Sequence, residues 1–144
     1  MKTTRRTALC VLGAAASVTT LGSVAGCDND GNSQPQGAFD LGEVASLAVN
    51  GSRLNAEAAV ILGRDAGGLY AYSTICTHEG CIVNAPDTSG VAVCPCHGAR
   101  FDRNGAVLSG PTSTPLPHFQ VTVANGRASV DTRVSVAASA RAAV

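Results

Sequence analysis

The sequence predicts an all-β fold, and three observations carry that expectation. Between Leu41 and Asp131 the chain reads as short apolar runs punctuated by turn residues. No stretch in that span repeats its apolar residues at the spacing of an amphipathic helix. Two Asn-Gly pairs, Asn104-Gly105 and Asn125-Gly126, are hairpin signals, because a two-residue turn matched to strand twist needs positive φ at both central positions.

The first expected hairpin runs from Ala58-Ala59-Val60-Ile61-Leu62 through Asp65-Ala66-Gly67-Gly68 into Leu69-Tyr70-Ala71-Tyr72. Val91-Ala92-Val93 is a further short strand, and Asn104-Gly105 turns the chain after it. The segment Gly110-Pro111-Thr112-Ser113-Thr114-Pro115-Leu116-Pro117 is rigid and poor in backbone donors, whether as a covering loop or as a simple connection between strands. His118-Phe119-Gln120-Val121-Thr122-Val123 then forms a strand that Asn125-Gly126 turns back onto Ala128-Ser129-Val130. His118 is expected at the start of that strand, partly exposed. With no tryptophan and three phenylalanines, the core must be filled by Val, Ile, Leu and Ala. Residues 132–144 are rich in Ala, Ser, Val and Arg, carry no motif, and are expected to be a disordered tail, which leaves residues 41–131 as the domain.

At the other end, Lys2, Arg5 and Arg6 precede an apolar, small-residue run from Ala8 to about Ala25, the form of a targeting segment. The surroundings of Arg5-Arg6 resemble a twin-arginine export signal, and Val24-Ala25-Gly26-Cys27 resembles a lipobox. Residues 1–26 are therefore expected to be a signal peptide and Cys27 a lipidated N-terminus, anchored at the outer face of the cytoplasmic membrane. An uncleaved signal anchor is the alternative, because the run approaches a membrane-spanning length. Ser17, Thr19, Thr20, Ser23, Gly13 and Gly22 make it weakly hydrophobic. Residues 27–40, polar and turn-rich from Asp28 to Gly37, are expected to be a flexible tether. Beyond the signal lie 118 residues with seven basic and ten acidic side chains, a net charge of −3. That length suits one domain, and no basic stripe is left for nucleic acid.

Two boxes carry the chemistry: Cys76-Thr77-His78-Glu79-Gly80-Cys81 and Cys94-Pro95-Cys96-His97-Gly98. Each offers one cysteine and one histidine, as Cys-x-His and Cys-x-x-His, plus one further cysteine. Two Cys and two His could also close a zinc site. Zinc spacings usually pair like with like, however, and zinc would leave Cys81 and Cys96 without a role.

The boxes resemble the Rieske [2Fe–2S] family, in its disulfide-containing branch found in quinol–cytochrome c reductases and arsenite oxidases. That resemblance implies an antiparallel β-sandwich with a cluster-binding subdomain of two loops plus a proline loop. It implies one [2Fe–2S] cluster per chain, with Cys76 and Cys94 on one iron and His78 and His97 on the other. Replacing two thiolates by imidazoles removes two negative charges, so such centres have potentials of about −150 to +300 mV against roughly −400 mV for plant-type ferredoxins. Cys81 and Cys96 then resemble the family's disulfide, worth roughly 3 kcal/mol for a loop of about fifteen residues; a pair of free buried thiols is the alternative. Gly110-Pro111 opens the proline loop, and Ala99 and Phe101 border the cluster. His118 has no ligand role.

Three positions depart from the quinol-oxidising pattern. Ala99 and Phe101 stand where those relatives carry serine and tyrosine, whose hydroxyls hydrogen-bond the cluster sulfurs, and Glu79 stands where they often carry leucine. The expected function is one-electron transfer by a lipid-anchored extracytoplasmic carrier or small redox subunit, with no catalysis alone. Its expected partners are a cytochrome, a quinol-linked complex or an oxidoreductase large subunit. The alternatives are the Rieske subunit of a cytochrome bc1-type complex and the small subunit of an arsenite-oxidase-like molybdoenzyme. Oxygenase chemistry is excluded for this chain alone, since no second domain supplies a mononuclear iron site.

Overall fold

The computed structural model describes residues 33–144; the expected signal, Cys10, Cys27 and the first part of the tether lie outside them. In chain order the strands are β1 (Ala38–Glu43), β2 (Ser52–Asn55), β3 (Val60–Asp65), β4 (Gly68–Ser73), β5 (Ala92–Val93), β6 (Arg100–Phe101), β7 (Val107–Ser109), β8 (His118–Ala124) and β9 (Arg127–Val136). The described residues contain no helix. One sheet has the order β1-β9-β8-β4-β3-β2 and a smaller one the order β5-β6-β7, with every pairing antiparallel.

The turn chemistry explains two of the hairpins directly. Ala124 pairs with Arg127, leaving Asn125 (φ 51°) and Gly126 (φ 74°) as a two-residue turn with both central φ values positive. Asp65 pairs with Gly68, and its carboxylate accepts the Gly67 N–H at 2.8 Å. Asn104-Gly105 behaves differently. It lies in a wider turn in which the Asp102 carboxylate accepts the N–H groups of Asn104 and Ala106 at 2.8 and 2.9 Å, and Gly105 has the positive φ.

Strands β3 and β4 are apolar on both faces because each face meets a different core. Val60, Leu62, Leu69 and Ala71 pack with Leu41, Val44, Phe119 and Val130 in one cluster. Ile61, Tyr70 and Tyr72, one residue out of phase, pack with Cys76, Val83, Cys94, Phe101 and Leu116 in the other. Side chains that alternate across a strand thus join the main sheet to the cluster-bearing subdomain. The sheet's open edges are closed by side chains: Arg53 of β2 donates to the carbonyls of Leu41 and Glu43, and Asn55 to that of Asp40, all on β1. This satisfies edge groups that would otherwise be free to pair with another chain.

Three expectations are corrected. The segment 132–144 is folded: β9 continues to Val136, and Leu69 and Ala142 exchange both backbone hydrogen bonds at 2.9 and 2.8 Å. The cause lies in the main sheet, where β4 meets β8 at only Ala71↔Phe119 and Tyr72↔His118, so the polar backbone of Leu69 takes its partner from the tail. Arg141 locks that contact, donating to Asp65 at 2.7 Å and to Asn104 at 3.0 Å and lying 4.2 Å from the Tyr70 ring centre.

The expected tether is shorter than residues 27–40, because Thr132 Oγ1 donates to the Pro35 carbonyl and accepts the Gly37 N–H, and β1 starts at Ala38. Gln34 joins the fold too, donating to the Ala58 carbonyl and accepting from the Ser73 hydroxyl at 2.6 Å. Finally, His118 is buried at 4% exposure, its ring 5.6 Å from that of Tyr72. Burial lowers its pKa.

Candidate metal centre

The two boxes fold into loops of one design. In the first, the Cys76 N–H donates to the Cys81 carbonyl at 2.8 Å and the Gly80 N–H to the Cys76 carbonyl at 2.9 Å. In the second, the Cys94 N–H donates to the Ala99 carbonyl at 2.8 Å and the Gly98 N–H to the Cys94 carbonyl at 3.0 Å. Each loop turns at a glycine four residues after its first cysteine, and Gly80 and Gly98 share a φ of 71°, a region that glycine enters without steric cost. Cys76 and Cys94 therefore occupy equivalent places. The first loop is clamped at its base by the Ile75↔Ile82 bridge, and the second by Val93 pairing with Arg100.

This construction brings the expected donors together in two pairs, thiol beside thiol and imidazole beside imidazole. The Cys76 and Cys94 thiols are free, buried and adjacent. Burial pushes the Cys76 thiol up, the His78 amide aimed at its sulfur opposes that, and the Cys94 thiol beside it pushes it up further. The rings of His78 and His97 lie 4.8 Å apart, edge to face. His78 Nδ1 is buried without a hydrogen-bond partner. His97 faces solvent, and its Nε2 lies 3.6 Å from Glu79 Oε2. Cys81 and Cys96 form a disulfide, so the alternative of two free thiols is set aside.

The segment from Gly110 to Pro117 docks on both loops. Thr77 donates its hydroxyl proton to the Thr114 carbonyl at 2.6 Å, so in its 3.0 Å contact with Thr112 the Thr112 hydroxyl is the donor. On the other side Gly110 lies against the second loop, where an added Cβ would sit 2.6 Å from Ala99 Cα. Pro111, next in the chain, is exposed. Ala99 and Phe101 are fully buried, Phe101 in the core that also contains both free cysteines. Thr77 is the residue that sequence reasoning passed over. A hydroxyl whose partner lies 37 residues away leaves no local pattern.

Two buried thiols without partners, an orphaned imidazole nitrogen and a second histidine beside it form a mixed sulfur–nitrogen donor set, the kind a Rieske cluster requires. A Rieske [2Fe-2S] domain model matches residues 37–120. The chain belongs to the Rieske [2Fe–2S] family. Its cofactor is accordingly a [2Fe–2S] cluster, and the zinc alternative is set aside.

The cytochrome b6-f complex iron-sulfur subunit of Chlorobaculum tepidum is 40% identical over 68 residues, 47% of this chain and 38% of that subunit. The chain thus matches well under half the length of this curated relative. Among solved structures, the plasma membrane Rieske protein of Synechocystis PCC 6803 is 32% identical with a TM-score of 0.54, covering 65% of this chain and 99% of that one. A chain from the complex of reduced oxygenase and oxidized ferredoxin in carbazole 1,9a-dioxygenase is 25% identical with a TM-score of 0.51, covering 72% of this chain and 99% of that one.

Proposed function

We infer that this chain is a one-electron carrier in which Cys76 and Cys94 hold one iron and His78 and His97 the other. The carrying observation is the asymmetry of the four donors, with both thiols buried and His97 in solvent. The cluster supplies the one-electron couple when bound. The chain's own residues supply the rest: the second core shields the thiols, the proline loop tied down by Thr77 limits water access, and the His97 edge offers the point of contact with a partner.

The twin-arginine and lipobox patterns support export and attachment through Cys27 to the outer face of the cytoplasmic membrane, where a cytochrome or an oxidoreductase subunit is the natural acceptor. A folded domain that begins at Gln34 leaves a connection of seven residue steps from Cys27, about 25 Å at full extension. The second reading, a Rieske subunit of a quinol-oxidising cytochrome complex, is favoured by the likeness to the Chlorobaculum tepidum subunit. Glu79, Ala99 and Phe101 weigh against it.

The experiment is to purify the mature protein and measure iron, acid-labile sulfide and the paramagnetic signal after reduction. Two irons and two sulfides with a Rieske-type signal are expected, and His78→Cys or His97→Cys should abolish that signal. Stoichiometric zinc without iron would overturn the reading. A native mature protein that starts elsewhere than Cys27 would overturn the lipid anchor alone.

A further inference from the structure

We propose that Glu79 selects the redox partner, so that the face around His97 docks a protein presenting an arginine or lysine beside its own electron-accepting centre. This deepens the proposed electron-carrier function and rests on it. The observation is the placement of a carboxylate at the point of electron exit: Glu79 Oε2 lies 3.6 Å from His97 Nε2, and the two side chains are 61% and 46% exposed.

Among the described residues that carboxylate has no arginine or lysine partner. Among the described residues the arginine ion pairs go to Asp40, Asp131 and Asp65, and the sequence has a single lysine, Lys2. Glu79 meets two histidines, His78 and His97, both of which the proposed function assigns to iron. Gly80 beside it in the chain, and Pro95 and Gly98 of the second loop, bear no charge; Arg100, exposed at the base of that loop, forms no ion pair with it. The exit point therefore presents a fixed negative charge to whatever docks.

Charge bookkeeping at the centre adds a direction. Two ferric ions, two sulfides and two thiolates sum to zero, so reduction gives the centre one negative charge. Glu79 contributes its charge in both states and draws a cation close enough to sense the one that reduction adds. A cationic partner is then held more tightly before the electron leaves than after, which favours docking of the loaded carrier and release of the spent one. A neutral quinol carries no charge to complement the carboxylate and would have to strip part of its water.

The test uses the cluster-loaded protein with two oxidants of matched and opposite charge, tris(phenanthroline)cobalt(III) and ferricyanide, at low ionic strength. In each reaction the reduced protein loses one electron and the oxidant gains it, Co(III) to Co(II) or Fe(III) to Fe(II). Glu79→Gln should lower the ratio of cobalt rate to ferricyanide rate by about tenfold, the effect of one surface charge acting on trivalent ions, and added salt should erase the difference. Glu79→Lys should lower it further.

A second readout is an equilibrium one. Redox-inert hexaamminechromium(III) should raise the reduction potential of the wild-type protein by favouring its reduced state, and the rise should fall to about half or less in Glu79→Gln. Unchanged rate ratios in both variants, or an equal chromium response in wild type and Glu79→Gln, overturn the proposal while electron transfer stands. A wild-type protein without a redox-active cluster overturns both.

Discussion

Thr77, inside the first cluster loop, donates its hydroxyl proton to the carbonyl of Thr114 in the proline loop at 2.6 Å. The contact lies one residue from Cys76 and one from His78, so it couples the covering loop to the metal-binding backbone. Thr77→Val keeps the shape and removes the donor, leaving the Thr114 carbonyl and the Thr112 hydroxyl to find other partners. The expected loss is about 0.5–1.5 kcal/mol of stability, since water can reach the exposed Thr114 carbonyl, with faster hydrogen exchange and earlier cluster loss confined to the two loops. Thr77→Ser should restore both. Equal behaviour of the valine and serine variants would show that the hydroxyl does not hold the loop.

The tail makes a second prediction through Arg141. Burial alone would raise the Asp65 pKa, but the Arg141 guanidinium and the Gly67 amide hold it below the ordinary carboxylate value. A carboxyl depressed in the folded state stabilises the protein above its unfolded pKa, and that contribution disappears as pH falls through the folded value. Arg141→Gln should therefore cost about 1–3 kcal/mol near pH 7. The gap between wild type and variant should narrow below about pH 4. Denaturant melts at the two pH values measure this, and a gap that is constant with pH would leave packing as the whole effect.

Two glycines with positive φ should respond differently to alanine. A Cβ on Gly98 meets nothing within 4 Å, so Gly98→Ala carries only the backbone penalty of φ 71°, about 1–2 kcal/mol. At Gly110 (φ 118°) the same atom would sit 2.6 Å from Ala99 Cα, and one of the two loops must move. Gly110→Ala should lower the melting temperature more than Gly98→Ala and should loosen the cluster, seen as faster bleaching of its visible absorbance. The opposite ranking would mean that the proline loop does not bear on the second cluster loop.

The pairing of Cys76 with Cys94 and of His78 with His97 was readable from the sequence because each box concentrates its Cys and His within six residues and its glycine sits where the turn requires one. The hairpin at Asn125-Gly126 was readable for the same reason, with both conformational demands falling on adjacent residues. What escaped was set by distant partners. The tail is ordered by the backbone of Leu69, whose need for a partner depends on how few residues β4 shares with β8. The burial of His118 depends on the Tyr72 ring opposite it, and the early end of the tether on Thr132. Composition could not reveal these, because Ala, Ser and Thr make such contacts through groups that leave no hydrophobic pattern.

The remaining prediction concerns Ala99 and Phe101, both fully buried. Family resemblance implies that hydroxyls at these two places donate to cluster sulfurs. Reduction makes those sulfurs more negative, so a donor stabilises the reduced form more and raises the potential. A difference of about 1.4 kcal/mol between oxidation states is about 59 mV for one electron. This chain, lacking both hydroxyls, should therefore lie low in the Rieske range. Ala99→Ser and Phe101→Tyr should each raise the potential, and the double variant should raise it further. Stability separates a genuine sulfur contact from a merely tolerated hydroxyl. Without its sulfur partner a new buried hydroxyl costs about 1–3 kcal/mol, so Phe101→Tyr should destabilise the cluster-free protein while leaving the loaded one little changed. A destabilised loaded protein with an unmoved potential would mean that the hydroxyl does not face the cluster, and that solvent at His97 or the charge of Glu79 sets the potential instead.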